Sequence, residues 1–280
     1  MLLEARDISF SYDDHPVLNK VSVGLPRGGL VSLLGPNGCG KTTLLKVLLG
    51  IYPFRGGEVR LDNRPLHNLS RKALAREMAY VPQLHRAAFA YQVLDVVLMG
   101  RLPHKSFLAP FSRRDRELAL AALERLGIAH LRERTYTCIS GGERQLVLIA
   151  RALCQGAHTF ILDEPVTGLD YGNQIRLLEQ LSRLASEGYT FVKSTHFPDH
   201  ALWISSHVVL LKDGRVIAEG KPEQVINKDT LFHLYGTEVD VWPLLENFRI
   251  CVPERIRQRF CSCHDSRRPV HFCETGGKQC

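Results

Sequence analysis

The sequence predicts an α/β fold, a mostly parallel sheet with helices that also carries antiparallel strands. Three observations predict it. The apolar run "LVSLL" (Leu30–Leu34) passes straight into "GPNGCGKTT" (Gly35–Thr43) and then into an apolar helix. "TFILDEP" is a short buried strand that ends on two carboxylates, Asp163 and Glu164. "YTFVKSTH" is a second such strand and ends on His196. Short apolar runs alternating with helices are the pattern of strands buried on both faces.

The remaining elements follow in chain order. Val21 to Leu34 reads as two short strands around the turn "PRGG". Thr42 to Leu49 carries Leu44, Leu45, Val47, Leu48 and Leu49, a buried helix that Gly50 terminates. "SRRDRELALAALERLG" reads as a surface helix, with Ser112 as N-cap and Gly127 as stop. "GGERQLVLIARALC" is a more apolar helix and so a better buried one. "HVVLLKDGRVIAEG" is a hairpin that turns at Asp213-Gly214. No internal repeat is visible. The last thirty or so residues lose their periodic apolar positions and read as linker-like.

Bulk composition narrows the class. The chain has 280 residues, 45% hydrophobic and 23% charged, which fits a globular protein with a substantial core. No stretch approaches the roughly 18 apolar residues of a membrane span. Glu4 and Arg6 leave no secretory signal at the start, so a cytoplasmic chain is expected. Net charge is +7, but from Arg249 onward seven Lys/Arg face three Asp/Glu, so the tail holds +4 of it. The nearly balanced body gives little support to a nucleic-acid role. Of the 8 cysteines, Cys39, Cys138 and Cys154 are scattered, whereas Cys251, Cys261, Cys263, Cys273 and Cys280 crowd the end. A reducing compartment argues against a disulfide framework.

Glycines weaken helix and strand alike, so a cluster of three needs a reason. In G-x-x-x-x-G-K-[ST] they let successive N–H groups turn inward around phosphate oxygens, and the following helix adds its positive dipole end. Gly35, Gly38, Gly40, Lys41 and Thr42 fit that spacing, with Pro36, Asn37, Cys39 and Thr43 completing the loop. Lys41 would reach the terminal phosphates and Thr42 would offer its hydroxyl to Mg²⁺. A glycine-rich turn with a chance lysine is the plainer alternative. Asp163 supplies the carboxylate that such a metal needs, and Glu164 beside it can polarise an attacking water. Alone, an Asp-Glu pair would be an ordinary loop start; downstream of such a loop it reads as a nucleotide site.

With "ISGGERQ" (Ile139–Gln145) added, the chain resembles the ATP-binding subunit of an ABC transporter. That segment matches the family's signature loop. The resemblance also covers Gln83 in "YVPQ", Asp170 in "GLD", His196 in "STH" and Tyr12 in "FSYDD", in the family's order, over about Leu3 to Gly236. It implies a P-loop NTPase (RecA-like) core with an antiparallel β subdomain and an inserted helical subdomain at about 88–155, within an ATP-binding domain at 1–240. It implies ATP and Mg²⁺ as ligands, Gln83, Glu164 and His196 as catalytic residues, and Thr42, Gln83 and Asp163 around the metal. Tyr12 would stack on adenine. Ile139 and Glu143 depart from the commoner Leu-Ser-Gly-Gly-Gln, and Glu143 is left out of the site because of its charge. Phe197 stands where many relatives carry an acidic residue.

The resemblance further implies a head-to-tail homodimer in which Ser140, Gly141 and Gly142 complete the partner's site, with Asp170 among the nucleotide-binding residues. Separate integral-membrane permease subunits would carry the cargo, and a periplasmic or extracellular binding protein would deliver it. That places the chain at the cytoplasmic face of the membrane. "FAYQVLDVVLMGRLPH" (Phe89–His104) resembles the importers of ferric siderophores, haem and cobalamin and the related molybdate and tungstate systems. There Val93, Val96 and Val97 are expected to pack inward, with Tyr91 and Arg101 available to the membrane partner. The alternatives are a different transporter or a non-transport ABC ATPase. Against the latter, the motif spacing leaves no room for the coiled coils of repair types, and one cassette is present where translation types carry two.

Two further expectations concern cysteines. Cys39, beside Lys41 and a helix N-terminus, is expected to favour thiolate and to react when the site is empty. Residues 241–280 read as a flexible, basic, Cys-rich tail. Its Cys261, Cys263, His264, His271, Cys273 and Cys280 could hold Zn²⁺, although Cys-x-Cys-His is tighter than usual ligand spacing. The plainer reading is an extension whose thiols are incidental.

Overall fold

The apolar run after "PRG" forms strand β3 (Gly29–Leu34), buried from Leu30 to Leu34. In the computed structural model, which describes residues 1–83, 90–106, 109–245 and 248–256, β3 lies inside a six-stranded sheet. Its parallel neighbours are β8 (Thr190–Thr195) and β9 (His207–Lys212). Beyond β8 come β7 (Thr159–Leu162) and β6 (Met78–Val81), both parallel. β10 (Arg215–Gly220) closes the other edge against β9 in antiparallel fashion. Its turn has φ of 46° at Asp213 and 70° at Gly214, the left-handed pair that a tight hairpin needs. Because five strands run the same way, the chain leaves β3, β7 and β8 at one rim. Gly35, Asp163 and His196 therefore emerge side by side.

A second, antiparallel sheet joins β1 (Leu3–Tyr12), β2 (His15–Leu25), β4 (Glu58–Leu61) and β5 (Arg64–Pro65) in the order β2–β1–β4–β5. With α1 (Lys41–Leu48) it covers one face of the main sheet, where Leu3, Ile8, Leu44, Ile161, Val192 and Leu211 share a core. α2 (Arg71–Glu77) leads into β6. The other face packs α3 (Val93–Leu98), α4 (Arg113–Arg125), α5 (Gly141–Gln155) and α6 (Tyr171–Ser186) around Val97, Leu123, Val147, Phe160, Leu181 and Phe191. Phe160 and Ile161, like Phe191 and Val192, thus enter opposite cores, as the strand period of two requires. Each such side chain contributes about 1.5–3 kcal/mol by leaving water.

Lys193 also sits in the sheet. It is 1% exposed, its ammonium has no hydrogen-bond partner among the described residues, and burial pulls its pKa down to about 7. Val93, Val96 and Val97 are buried and Tyr91 is exposed. Arg101 is not available as expected. Its guanidinium binds the Asp115 carboxylate at 3.0 Å and the Cys154 carbonyl at 2.9 Å, and its side chain is 14% exposed. It spans from the turn after α3 to α4 and α5, a contact that sequence spacing does not reveal.

The tail also differs from expectation. After α7 (Pro198–Ile204), α8 (Pro222–Val225) and α9 (Lys228–Tyr235), the chain forms a hairpin of β11 (Val239–Leu245) and β12 (Phe248–Pro253). A flexible tail from 241 is therefore incorrect for its first part. Val239, Val241 and Cys251 pack against a third core of Leu34, Ala201, Leu210, Leu231 and Leu234. The Cys251 N–H also donates to Asp199 at 2.7 Å. The candidate zinc ligands Cys261, Cys263, His264, His271, Cys273 and Cys280 lie outside the described residues. No helix among the described residues is long and apolar enough to cross a membrane.

Candidate active site

The phosphate loop is shaped by contacts only glycine permits. A Cβ at Gly35 would lie 2.2 Å from the Leu211 carbonyl oxygen, so strand β9 can pass directly behind the loop. Gly40 stands at φ 104° as the N-cap of α1. Within the loop Lys41 is 5% exposed, and its ammonium donates to the carbonyls of Gly35 and Pro36, each at 2.9 Å. The same charge lies 3.4 Å from Glu164 Oε1. Thr42 donates its hydroxyl to Asp163 Oδ1 at 2.9 Å. The loop, the metal carboxylate and the candidate base therefore meet at the rim where the parallel strands end.

Asp163 and Glu164 are 2% and 8% exposed, so their charge depends on partners. Ser194 serves both: its hydroxyl donates to Asp163 Oδ1 at 2.8 Å and accepts the Glu164 N–H at 2.8 Å. Tyr80 adds a long bond of 3.4 Å to Asp163 Oδ2. Glu164 Oε2 accepts from Thr167 at 2.9 Å and from the Gln83 amide at 3.2 Å. Burial raises the Glu164 pKa, but the Thr167 hydroxyl, the Lys41 charge and the nearby His196 outweigh it and bring the pKa below its ordinary value. Glu164 thus stays a carboxylate, able to accept a proton. Its φ of 43° is left-handed, the kind of backbone strain that collects at functional sites. His196 Nδ1 lies 3.4 Å from Glu164 Oε1 without an aligned hydrogen bond.

Tyr12 is 44% exposed, with its hydroxyl 3.4 Å from the Thr43 hydroxyl. Its ring meets Phe10 and Tyr52 edge-on at 4.8 and 5.8 Å. Cys39 corrects its expectation. It is 4% exposed within the core, and desolvation raises its pKa despite the charge of Lys41. The loop wraps the thiol inward beside Gly35, so the helix dipole and lysine do not decide its chemistry.

The signature segment forms a separate half. Ser140 caps α5, with its hydroxyl accepting the Glu143 N–H at 3.3 Å while the Glu143 carboxylate accepts the Ser140 N–H at 2.8 Å. These bonds lower the Glu143 pKa, the Ser140 N–H first. Asp170 caps α6 by accepting the Asn173 N–H at 2.9 Å. A Cβ on Gly142 would lie 2.9 Å from Asn173 Cγ, so the Asp170 turn packs directly on the signature loop. Among the described residues no hydrogen bond or ion pair links Ser140, Gly141, Gly142 or Asp170 to the phosphate loop. Sequence reasoning passed over Ser194, Thr167, Tyr80 and Tyr52. Glu143 was readable, since Ser-x-x-Glu ahead of an apolar helix is a capping box.

The sequence pattern described as ABC transporter matches residues 18–167, more than half of the chain. The chain belongs to the ABC transporter family. As an ATP-binding cassette it is an ATPase. An uncharacterised ABC transporter ATP-binding protein of Haemophilus influenzae is 39% identical to it, over 86% of this chain and 92% of that protein. The iron(3+)-hydroxamate import ATP-binding protein FhuC of Bacillus subtilis is 36% identical, over 85% of this chain and 89% of its own. Among solved structures, a metal-chelate type ABC transporter in an inward-facing conformation superposes with a TM-score of 0.80 at 33% identity. That likeness covers 90% of this cassette and 96% of the matched chain.

Proposed function

We propose that this cassette powers the import of a metal chelate through separate membrane subunits, working as a homodimer at the cytoplasmic face of the membrane. The reading is carried by one observation: the buried cluster of Lys41, Thr42, Asp163 and Glu164 sits in a chain that is similar over 90% of its length to a metal-chelate type transporter. ATP would enter the loop, with its adenine against Tyr12. Lys41 then exchanges its bonds to two loop carbonyls for phosphate oxygens. Thr42 and Asp163 offer hard oxygen donors 2.9 Å apart, a set suited to Mg²⁺, with Gln83 as a further ligand. The bound cation would neutralise charge on the terminal phosphates. Glu164, released from Lys41, accepts a proton from the attacking water, which Gln83 and His196 help to place.

Ser140, Gly141, Gly142 and Asp170 act on the nucleotide of a second copy, consistent with their separate position. The membrane subunit docks in an apolar groove of about 590 Å³ lined by Leu49, Ile51, Leu74, Met99, Leu102 and Arg151. Leu102 is 58% exposed at its edge, which suits an apolar helix from that partner. A binding protein outside the membrane would bring the chelate to the permease.

The test is to co-express the chain with its hydrophobic subunits, reconstitute the complex in vesicles and follow ferric-chelate uptake with ATP inside and outside. Uptake that needs ATP on the cassette side, and that Glu164→Gln abolishes, is the expected result. A complex that turns over ATP without moving any metal chelate overturns the cargo reading, and failure to bind hydrophobic subunits overturns the transport reading.

A further inference from the structure

His196 Nδ1 approaches Glu164 Oε1 at 3.4 Å without an aligned hydrogen bond, so a loose charge contact is its one polar link to the carboxylate among the described residues. The main chain must place it. Within its own segment, the Phe197 N–H donates to the Thr195 hydroxyl at 3.1 Å, and the Phe197 ring lies against the imidazole at 4.1 Å. The anchor from outside is Tyr235, whose hydroxyl donates to the His196 carbonyl at 3.1 Å.

Tyr235 is itself rigidly placed. It is the last residue of α9, whose start is fixed by the reciprocal bonds of Asn227 and Thr230 and whose end is closed by Gly236 at φ 67°. Leu231 and Leu234 of that helix share a core with Leu34, the strand residue just before the phosphate loop, and with Ala201 of α7. Burial raises the phenol's pKa, so it remains an O–H donor at neutral pH.

The far side of α7 is braced by the C-terminal hairpin. Asp199 accepts the Cys251 N–H at 2.7 Å. The Trp203 indole donates to the Arg249 carbonyl at 3.3 Å and stacks on Phe248 at 5.8 Å. His196, Phe197, His200, Trp203 and Phe248 thus form an unbroken run of ring contacts from the site to the hairpin.

We propose that Tyr235 is a positioning residue for ATP hydrolysis, its hydroxyl fixing the His196 carbonyl and so holding the imidazole against Glu164, with the β11–β12 hairpin bracing the helix that follows. The inference rests on the roles of Glu164 and His196 given above. It assigns Tyr235 no contact with nucleotide, so its loss should alter the chemical step and leave binding alone.

The experiment is steady-state ATPase on the full-length chain as Tyr235→Phe, His196→Ala and the double variant, with ATP affinity and melting temperature measured beside it. Tyr235→Phe should lower kcat about three- to tenfold, the worth of one hydrogen bond, with the KM for ATP unchanged. In the double variant it should add nothing to the loss from His196→Ala. Asp199→Ala, which removes the hairpin's hold on α7, should lower kcat in the same direction and serves if Tyr235→Phe does not fold. Normal kcat in Tyr235→Phe beside an impaired His196→Ala overturns the assignment alone. Equal losses with and without His196 overturn it too, since Tyr235 would then act elsewhere. Full activity in His196→Ala removes the role of His196, and the assignment falls with it.

Discussion

Lys41, Asp163 and Glu164 are buried: Lys41 pairs with Glu164, Ser194 joins Asp163 to the Glu164 backbone, and Thr42 and Thr167 bind one carboxylate each, whereas Ser140 and Gly141 stand exposed at the start of α5. The phosphate half is a closed network of charges whose partners are all on the same chain. The signature half is a helix end satisfied by its own cap, with Ser140 and Gly141 facing outward. A buried network must be complete before nucleotide arrives, because an unpaired buried charge is expensive. An exposed helix terminus tolerates waiting, since water satisfies it until an anionic group comes. Under the proposed homodimer, the contrast lets one chain hold both halves of a site and use them only beside a second copy.

Glu164→Gln tests the closed half with the largest effect. Turnover should fall by ~10²-fold or more, because water activation is lost while the metal and phosphate contacts survive. ATP should then hold a dimer visible by gel filtration, and full turnover in this variant would remove Glu164 from the chemistry. Lys41→Ala should weaken nucleotide binding at least ~10-fold in a direct titration, through loss of charge-assisted bonds to phosphate. Gly142→Ala separates the halves. Its Cβ would push into Asn173, so ATP-driven dimerisation should weaken while ATP affinity of the isolated subunit stays the same. Equal loss of both would place the two halves on one nucleotide.

The helical layer that carries α5 can be probed through Asp115. The Ser112 hydroxyl and N–H, followed by Arg101 and Lys105, hold its pKa well below the usual carboxylate range. A depressed pKa stabilises the fold above the unfolded value of about 4, and that stability is lost as pH falls below it. Asp115→Asn should therefore destabilise the neutral protein by ~1–3 kcal/mol in urea melts and flatten the acid limb of the stability curve. An unchanged acid limb would shift the origin of acid lability to the phosphate half.

Cysteine mapping gives a smaller effect. With Cys39 buried and Cys138 exposed, a thiol reagent on the native protein should label Cys138 before Cys39, and Cys39→Ala should stay active. Rapid labelling of Cys39 that Mg-ATP blocks would show that the loop opens. Glu143→Gln is the mildest change. The amide oxygen can still accept the Ser140 N–H, so stability should move by only ~0.5 kcal/mol. Removing its charge should tighten the ATP-bound dimer a few-fold, roughly as one like-charge contact is relieved.

Much of the phosphate half was legible because its residue types have few other uses: Gly35 to Thr43 after an apolar strand, and Asp163 with Glu164 after another. The Asp213-Gly214 turn was legible for the same reason, since few residues accept that backbone. Ser194 was not, because a serine in a buried strand reads as filler until the neighbouring strand shows which carboxylates it faces. Burial of Cys39 was equally hidden, because it follows from the close approach of Leu211 behind Gly35. The β11–β12 hairpin was masked by the basic composition downstream, although alternate residues Val239 and Val241 reach the third core. In each miss the deciding partner lies on another element, far away in sequence.

Lys193 carries a consequence for how the protein responds to alkali. Its folded pKa of about 7 lies below the unfolded value of about 10.4. Below pH 7 both states bind the proton, and the fold bears the full penalty of a desolvated ammonium. Between about pH 7 and pH 10 the unfolded chain holds that proton and the folded one does not, so this residue makes unfolding harder as hydroxide rises. A cassette of this kind should tolerate mildly basic buffers better than neutral ones, and Lys193→Met should erase that preference in thermal melts taken across the range.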